Sequence, residues 1–210
     1  MYQLYFAPGA ASFAVHWMLL ELDVPFEARR LDLAAGEHKQ PAYLALNPNG
    51  LVPTLIVDGH PVYEAAALLL LLAERHPESG LAPRIGSVER AAYLQWTLHL
   101  SNTQQAAFGH WFHAERVAGD ANVDLVQATA RSQIESGWDR LATHLAARGP
   151  CVCGGEVSAA DFLATMLIRW SRNMPRPATD WPVLHDYARR MKARPAFRTL
   201  YEREGLTEWA

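Results

Sequence analysis

Cysteine is almost missing from this chain: Cys151 and Cys153 are the only two. A C-x-C pair closes a strained disulfide and supplies only half of a metal set, so neither a disulfide framework nor a cysteine metal site is expected. The pair is read as small buried residues in the manner of free cysteine, and so low a count fits a reducing compartment. An excess of one charge is missing too. The 19 Lys and Arg nearly balance the 22 Asp and Glu, a formal net charge of -3, which leaves no large field to hold nucleic acid or an anionic membrane. Long apolar runs are short as well. The longest, Ala65 to Ala73, is well under the ~20 residues of a membrane span. The first residues show no basic flank followed by an apolar stretch, so no signal peptide is expected. A soluble, cytoplasmic protein that contacts neither nucleic acid nor membrane is the expectation.

What remains is ordinary globular composition, 50% apolar and 20% charged over 210 residues, enough for one large domain or two small ones. The first 77 residues alternate between two periodicities. Gln3 to Phe6 is β-prone and ends at Ala7-Pro8-Gly9. Ser12 can cap a helix that carries Phe13, His16, Trp17 and Leu20 on one face. Pro25 to Leu33 alternates like a second strand. Gly36 to Asn49 is polar and turn-rich, with a short helical turn near Ala42 to Leu46. Thr54 to Val57 and Pro61 to Tyr63 flank the hairpin signal Asp58-Gly59. Ala65 to Arg75 is helical and closes before Pro77. The predicted order is β-α-β-α-β-β-α.

Residues 78–86 have the Pro, Ser and Gly punctuation of a linker. Everything from 87 to 210 reads helical: Ser87 to Phe112, Asp124 to Arg148, Asp161 to Arg172, then two shorter segments. Ser158 and Asp161 have capping-box spacing, flanked by Val157 and Phe162 as a hydrophobic staple. That is a folding signal to which no chemistry is assigned.

Three segments, in order and together spanning most of the chain, resemble the cytosolic glutathione transferases. Leu4-Tyr5-Phe6-Ala7-Pro8-Gly9-Ala10-Ala11-Ser12 is similar to the opening of the bacterial beta class. Asn47-Pro48-Asn49-Gly50-Leu51-Val52-Pro53-Thr54-Leu55 is followed by Tyr63-Glu64-Ala65. Gly154-Gly155-Glu156-Val157-Ser158-Ala159-Ala160-Asp161 matches the helix-start motif of the family's second domain. The resemblance implies a thioredoxin-like glutathione-binding domain over 1–77 and an all-helical domain over 87–210. It also implies a homodimer, glutathione as co-substrate, and neither cofactor nor metal. His110 and His113 are three apart, with no third ligand evident.

The same resemblance assigns candidate residues. Val52 precedes the position of a cis proline, Pro53, where its backbone pairs with the cysteinyl unit of glutathione as an added strand would. Glu64 meets the ligand ammonium, and the N–H of Ala65 holds the γ-glutamyl carboxylate at a helix N-terminus. The family's usual hydroxyl is missing at Ala65. Lys39 and His38 either receive the glycine carboxylate or are solvated surface charges. The class cysteine is replaced by Ala11, which disfavours a mixed disulfide with glutathione. Two hydroxyls are left to stabilise the thiolate: Ser12, otherwise a helix cap, and Tyr5, otherwise a core aromatic. Gln105 stands where the class has a histidine. With Asn102, Gln104, Phe108 and Trp111 on the same helix, it is expected to line a site for a small apolar or aromatic electrophile. Two activities follow as alternatives: transfer of glutathione to such an electrophile, or glutathione or protein binding without catalysis.

Overall fold

The computed structural model describes residues 1–209 and divides into two compact units, residues 1–82 with 192–209, and Pro83–Met191.

The first unit is built on a four-stranded mixed sheet in the order β2-β1-β3-β4. β1 (Tyr2–Phe6) runs parallel to β2 (Phe26–Arg30) and antiparallel to β3 (Thr54–Val57), which pairs antiparallel with β4 (His60–Tyr63). The parallel pair needs a crossover, and α1 (Ser12–Glu21) provides it. α2 (Pro41–Leu44) and α3 (Ala65–Arg75) complete the expected β-α-β-α-β-β-α order. The hairpin turns at Asp58-Gly59, where both residues have positive φ (52° and 83°), the conformation that a two-residue hairpin of this kind demands. β2 is shorter than its alternation suggested. Asp32 accepts the N–H groups of Ala34 and Ala35 (2.9 and 3.0 Å), and this Asx turn diverts the backbone from the ladder.

β1 buries Leu4 and Phe6 on one face and turns Gln3 and Tyr5 to the other. α1 packs on the Leu4 and Phe6 face, with the His16 ring 4.9 Å from that of Phe6. The last helix, α10 (Pro195–Glu204), also belongs to this unit. Its Phe197 ring lies 5.0 Å from Trp17 and its Tyr201 ring 6.0 Å from Phe13. Full burial of an aromatic of this size stabilises by about 1.5–3 kcal/mol, so position in the sequence is overridden. The division by sequence had assigned all of 87–210 to the second domain.

The second unit is helical: α4 (Val88–His99), α5 (Ala106–Phe112), α6 (Ala114–Ala118), α7 (Val123–Arg148), α8 (Ala159–Trp170) and α9 (Pro182–Lys192), whose last residue already groups with the first unit. α4 and α5 are one continuous run, as expected for 87–112, but Leu100–Gln105 between them is π-helical. α8 is buried along its whole length to Arg169, its polar stripe of Asp161, Thr165 and Arg169 included. Its start carries the expected box. Asp161 accepts the N–H of Ser158 (2.8 Å), the N–H of Val152 (2.8 Å) and the hydroxyl of Tyr187 (2.8 Å). Burial pushes the Asp161 carboxyl upward despite these bonds. No described helix is long and apolar enough to cross a membrane.

Candidate active site

The sheet register gathers the sequence-predicted glutathione residues at one end of the first unit. Thr54 pairs with Tyr5 on one side and with Tyr63 on the other. Val52-Pro53 and Glu64-Ala65 therefore leave the β3–β4 ladder side by side, and the turn from β1 into α1 leaves from the same end. The Val52–Pro53 peptide is cis. Glu64 has φ 76° and ψ 111°, a conformation a non-glycine residue adopts only when its surroundings impose it. It holds the first residue of α3, Ala65, at the ladder's end. α3 has no side-chain cap, so its first N–H groups are available to an anion.

The stretch before Val52 is locked by a buried polar cluster. Tyr43 of α2 donates to the carbonyl of Leu51 (2.5 Å) and lies 2.8 Å from Thr54 Oγ1. Asn47 Nδ2 donates to the same two groups (2.9 and 3.1 Å). Lys39 Nζ donates to the carbonyls of Asn49 and Gly50 (3.1 and 2.9 Å). Gly50 has φ 57°, and a Cβ there would lie 2.8 Å from both the His38 carbonyl and Lys39 Nζ. Lys39 is thus a brace for the loop, with one ammonium proton left over. His38 is half-buried in the same 3-10 turn, Glu37–Lys39.

The two hydroxyls are separated by the sheet. Ser12 is the first residue of α1 and Ala11 is its cap position, one residue off the sequence expectation. Ser12 is fully buried. Its hydroxyl donates to the Ala7 carbonyl and accepts the Ala7 N–H, both at 3.1 Å. The proton needed for a thiolate is already committed, so Ser12 braces the turn from within. Tyr5 leaves β1 on the face opposite α1 and packs on Tyr43, ring centroids 5.6 Å apart. The guanidinium of Arg29 stands 6.0 Å from its ring.

In the second unit, Asn102 is exposed and Gln105 and Trp111 are half-buried. Phe108 departs from expectation. It is fully buried against Phe112, Trp138 and Trp170 at 5.8–6.1 Å, and so is core. Gln104 is also buried and donates to the Ile134 carbonyl (3.0 Å). Neither Cys151 nor Cys153 is in a disulfide, and burial pushes the Cys153 thiol up to about 11. Among the described residues there is no group of three His, Cys, Asp or Glu that could hold a metal.

A thioredoxin-like unit with a cis proline before β3 and an acidic residue opening α3, joined in sequence to a helical unit, is the arrangement that the resemblance to the glutathione transferases implies. Residues 10–75 match the glutathione S-transferase N-terminal domain family and residues 99–203 the C-terminal domain family. Among curated relatives, glutathione S-transferase GST-4.5 of Xanthomonas campestris is 29% identical over 97% of this chain and 99% of its own. A sphingomonad glutathione S-transferase solved with glutathione is 32% identical, with a TM-score of 0.86 over 98% of this chain and all of its own. A beta-class enzyme from Sphingomonas chungbukensis is 29% identical, with a TM-score of 0.84 over the same shares. The chain belongs to the glutathione S-transferase family and is a glutathione transferase.

Proposed function

We propose that this protein activates the glutathione thiol with backbone donors at the start of α1 and adds the thiolate to a small apolar or aromatic electrophile. Val52 pairs with the cysteinyl backbone, Glu64 receives the ammonium, and the N–H of Ala65 receives the γ-glutamyl carboxylate. Lys39, with His38 beside it, lies toward the glycine end. The observation that carries the thiol assignment is the committed Ser12 hydroxyl. With Tyr5 on the far face of the sheet, the groups left near the turn are the N–H donors of Ala11 and Ser12 and the positive end of α1. Lowering a thiol from ~8.5 by two units takes about 2.7 kcal/mol of preferential anion binding. Preorganised backbone donors supply that order of stabilisation.

Asn102, Gln105 and Trp111 are the electrophile-side residues in this reading. The π turn that carries Asn102 and Gln105 supports it, because such turns recur at functional sites. The homodimer belongs to the same reading. Leu94 and Leu98, one turn apart on α4 and 39% and 50% exposed, support a self-association face.

The test is the ultraviolet thiolate absorbance of bound glutathione across pH, with Tyr5→Phe and Glu64→Gln beside the wild type. A depressed thiol pKa that survives Tyr5→Phe is expected, with Glu64→Gln weakening binding alone. A pKa restored to its free value by Tyr5→Phe would return the role to the phenol.

A further inference from the structure

Leu100–Gln105 is a π-helical turn inside an otherwise α-helical run. A π turn takes in one residue more than an α turn and is rare, so contacts outside the helix must favour it. The stretches on either side are secured by packing of their own. Tyr93 and Thr97 are fully buried before the turn, and Phe108 after it sits against Phe112, Trp138 and Trp170. Within the turn, Asn102 is exposed and Gln105 half-buried, while Gln104 is buried.

Gln104 reaches across to α7. Its Nε2 donates to the Ile134 carbonyl at 3.0 Å. Its Oε1 lies 1.7 Å from the place where any residue but glycine at 137 would carry a Cβ. A carbonyl oxygen has two lone pairs, so Ile134 can take this amide beside its own helix bond. Glycine in a helix interior and a polar group in the core both cost stability. What the two together provide is position: a directed bond from the π turn to the backbone of the neighbouring helix.

We propose that Gln104, admitted by Gly137, is a positioning residue for electrophile selection: it pins the π turn to α7 and so fixes where Asn102 and Gln105 stand. The inference rests on the reading of that turn as the electrophile side. Without the pin the stretch is free to close to α geometry, in which successive residues are about 100° apart around the axis. Losing the extra residue swings Asn102 and Gln105 relative to the anchored stretches on either side. Their amides are hydrogen-bond donors, and an electrophile that accepts from them then loses more than one that does not. The glutathione contacts and the thiol pKa, which the same reading places on the first unit, stay as they were.

The test compares the wild type with Gln104→Ala and with the double variant Gln104→Ala, Gly137→Ala, using chlorodinitrobenzene and benzyl isothiocyanate as electrophiles. Chlorodinitrobenzene, whose nitro groups accept hydrogen bonds, is expected to lose about three- to tenfold in kcat/KM, the worth of one hydrogen bond, chiefly through KM. Benzyl isothiocyanate, KM for glutathione and the bound-thiol pKa are expected to change little, the two kinetic values staying within about twofold. The alanine at 137 restores helix propensity, so the double variant is expected to melt above Gln104→Ala while keeping its altered selectivity. A variant less stable than the wild type but with the wild-type ratio of the two electrophiles overturns the proposal, since the amide then serves folding alone. So does a loss shared equally by both electrophiles. If neither variant folds, amide exchange in the wild type decides: Thr103 to Gln105 protected like the middle of α7 supports the pin, and exchange as fast as a frayed helix end overturns it. Asn102→Ala and Gln105→Ala separate the two failures. If neither moves the selectivity, the electrophile-side reading falls and the pin with it. If they move it and the loss of Gln104 does not, only the pin falls.

Discussion

Gly137, in the middle of α7, is a position where helix propensity and packing make opposite forecasts. Alanine is about 1 kcal/mol better than glycine inside a helix, so propensity alone forecasts that Gly137→Ala stabilises. The structure forecasts the reverse. A Cβ at Gly137 would lie 1.7 Å from Gln104 Oε1 and 2.6 Å from its Cδ. Gln104 is 2% exposed and spends its Nε2 on the Ile134 carbonyl, so the amide has no solvent to swing into. Overpacking costs ~1–3 kcal/mol, and a buried amide forced off its partner costs ~1–3 kcal/mol more. With each cost taken at ~1.5 kcal/mol and the propensity gain set against them, the net is a destabilisation of about 2 kcal/mol. At ~2–4 °C per kcal/mol for a chain of this length, Tm falls by about 4–8 °C. Circular-dichroism melts of the wild type, Gly137→Ala, Gln104→Ala and the double variant form a cycle. Once Gln104 is truncated, Gly137→Ala is expected to change from a penalty to the propensity gain of about 1 kcal/mol, a coupling of about 3 kcal/mol. A Gly137→Ala protein as stable as the wild type, or more so, refutes the packing argument.

Three further outcomes follow from the same geometry. Ser12→Ala leaves the buried Ala7 N–H without its acceptor and removes one of the two donors to the Ala7 carbonyl, and is expected to lower stability by about 1–3 kcal/mol with or without glutathione, read from urea midpoints. His99 is held below its ordinary pKa by burial and then by the nearby Arg140. The unfolded chain therefore takes up its proton first, and stability falls as pH drops below about 6.5. Melts of His99→Gln should lose that part of the pH dependence. Cys153, with its thiol at about 11, should resist iodoacetamide at neutral pH in the native protein and react on unfolding.

The fold was legible because its signals are local. Short β-prone and apolar runs marked β1, β3 and β4, the Asp58-Gly59 pair marked the hairpin, and Ser158 with Asp161 marked the start of α8. The glutathione residues were legible through their motif, and the register then explains why segments fifty residues apart share one end of the sheet. Several features had no local signal. Glu204 bonds to His16 at a separation of 188 residues, and nothing around it in the sequence distinguishes it from a surface glutamate. The commitment of Ser12 to Ala7 depends on the exact path of the turn, so its residue type pointed equally to a cap and a catalyst. Phe108 has the same spacing as its half-exposed neighbours. Only the aromatic cluster of Phe112, Trp138 and Trp170 shows that it belongs to the core. α10 reads as one more amphipathic helix, and its place beside α1 is decided by Phe197 and Tyr201.

The central claim is that backbone N–H groups at the start of α1 hold the glutathione thiolate, and Ala11→Pro tests it most directly. Ala11 has φ -61°, close to the -65° that proline imposes, so the substitution deletes one N–H donor at a compatible angle. The measurement is the thiolate absorbance of glutathione bound to the wild type and to Ala11→Pro across pH. A wild-type thiol depressed well below its free value, and raised by at least one unit in Ala11→Pro at similar glutathione affinity, is the predicted result. A depressed thiol that Ala11→Pro leaves unmoved contradicts the account, as does a wild type in which the bound thiol keeps its free value.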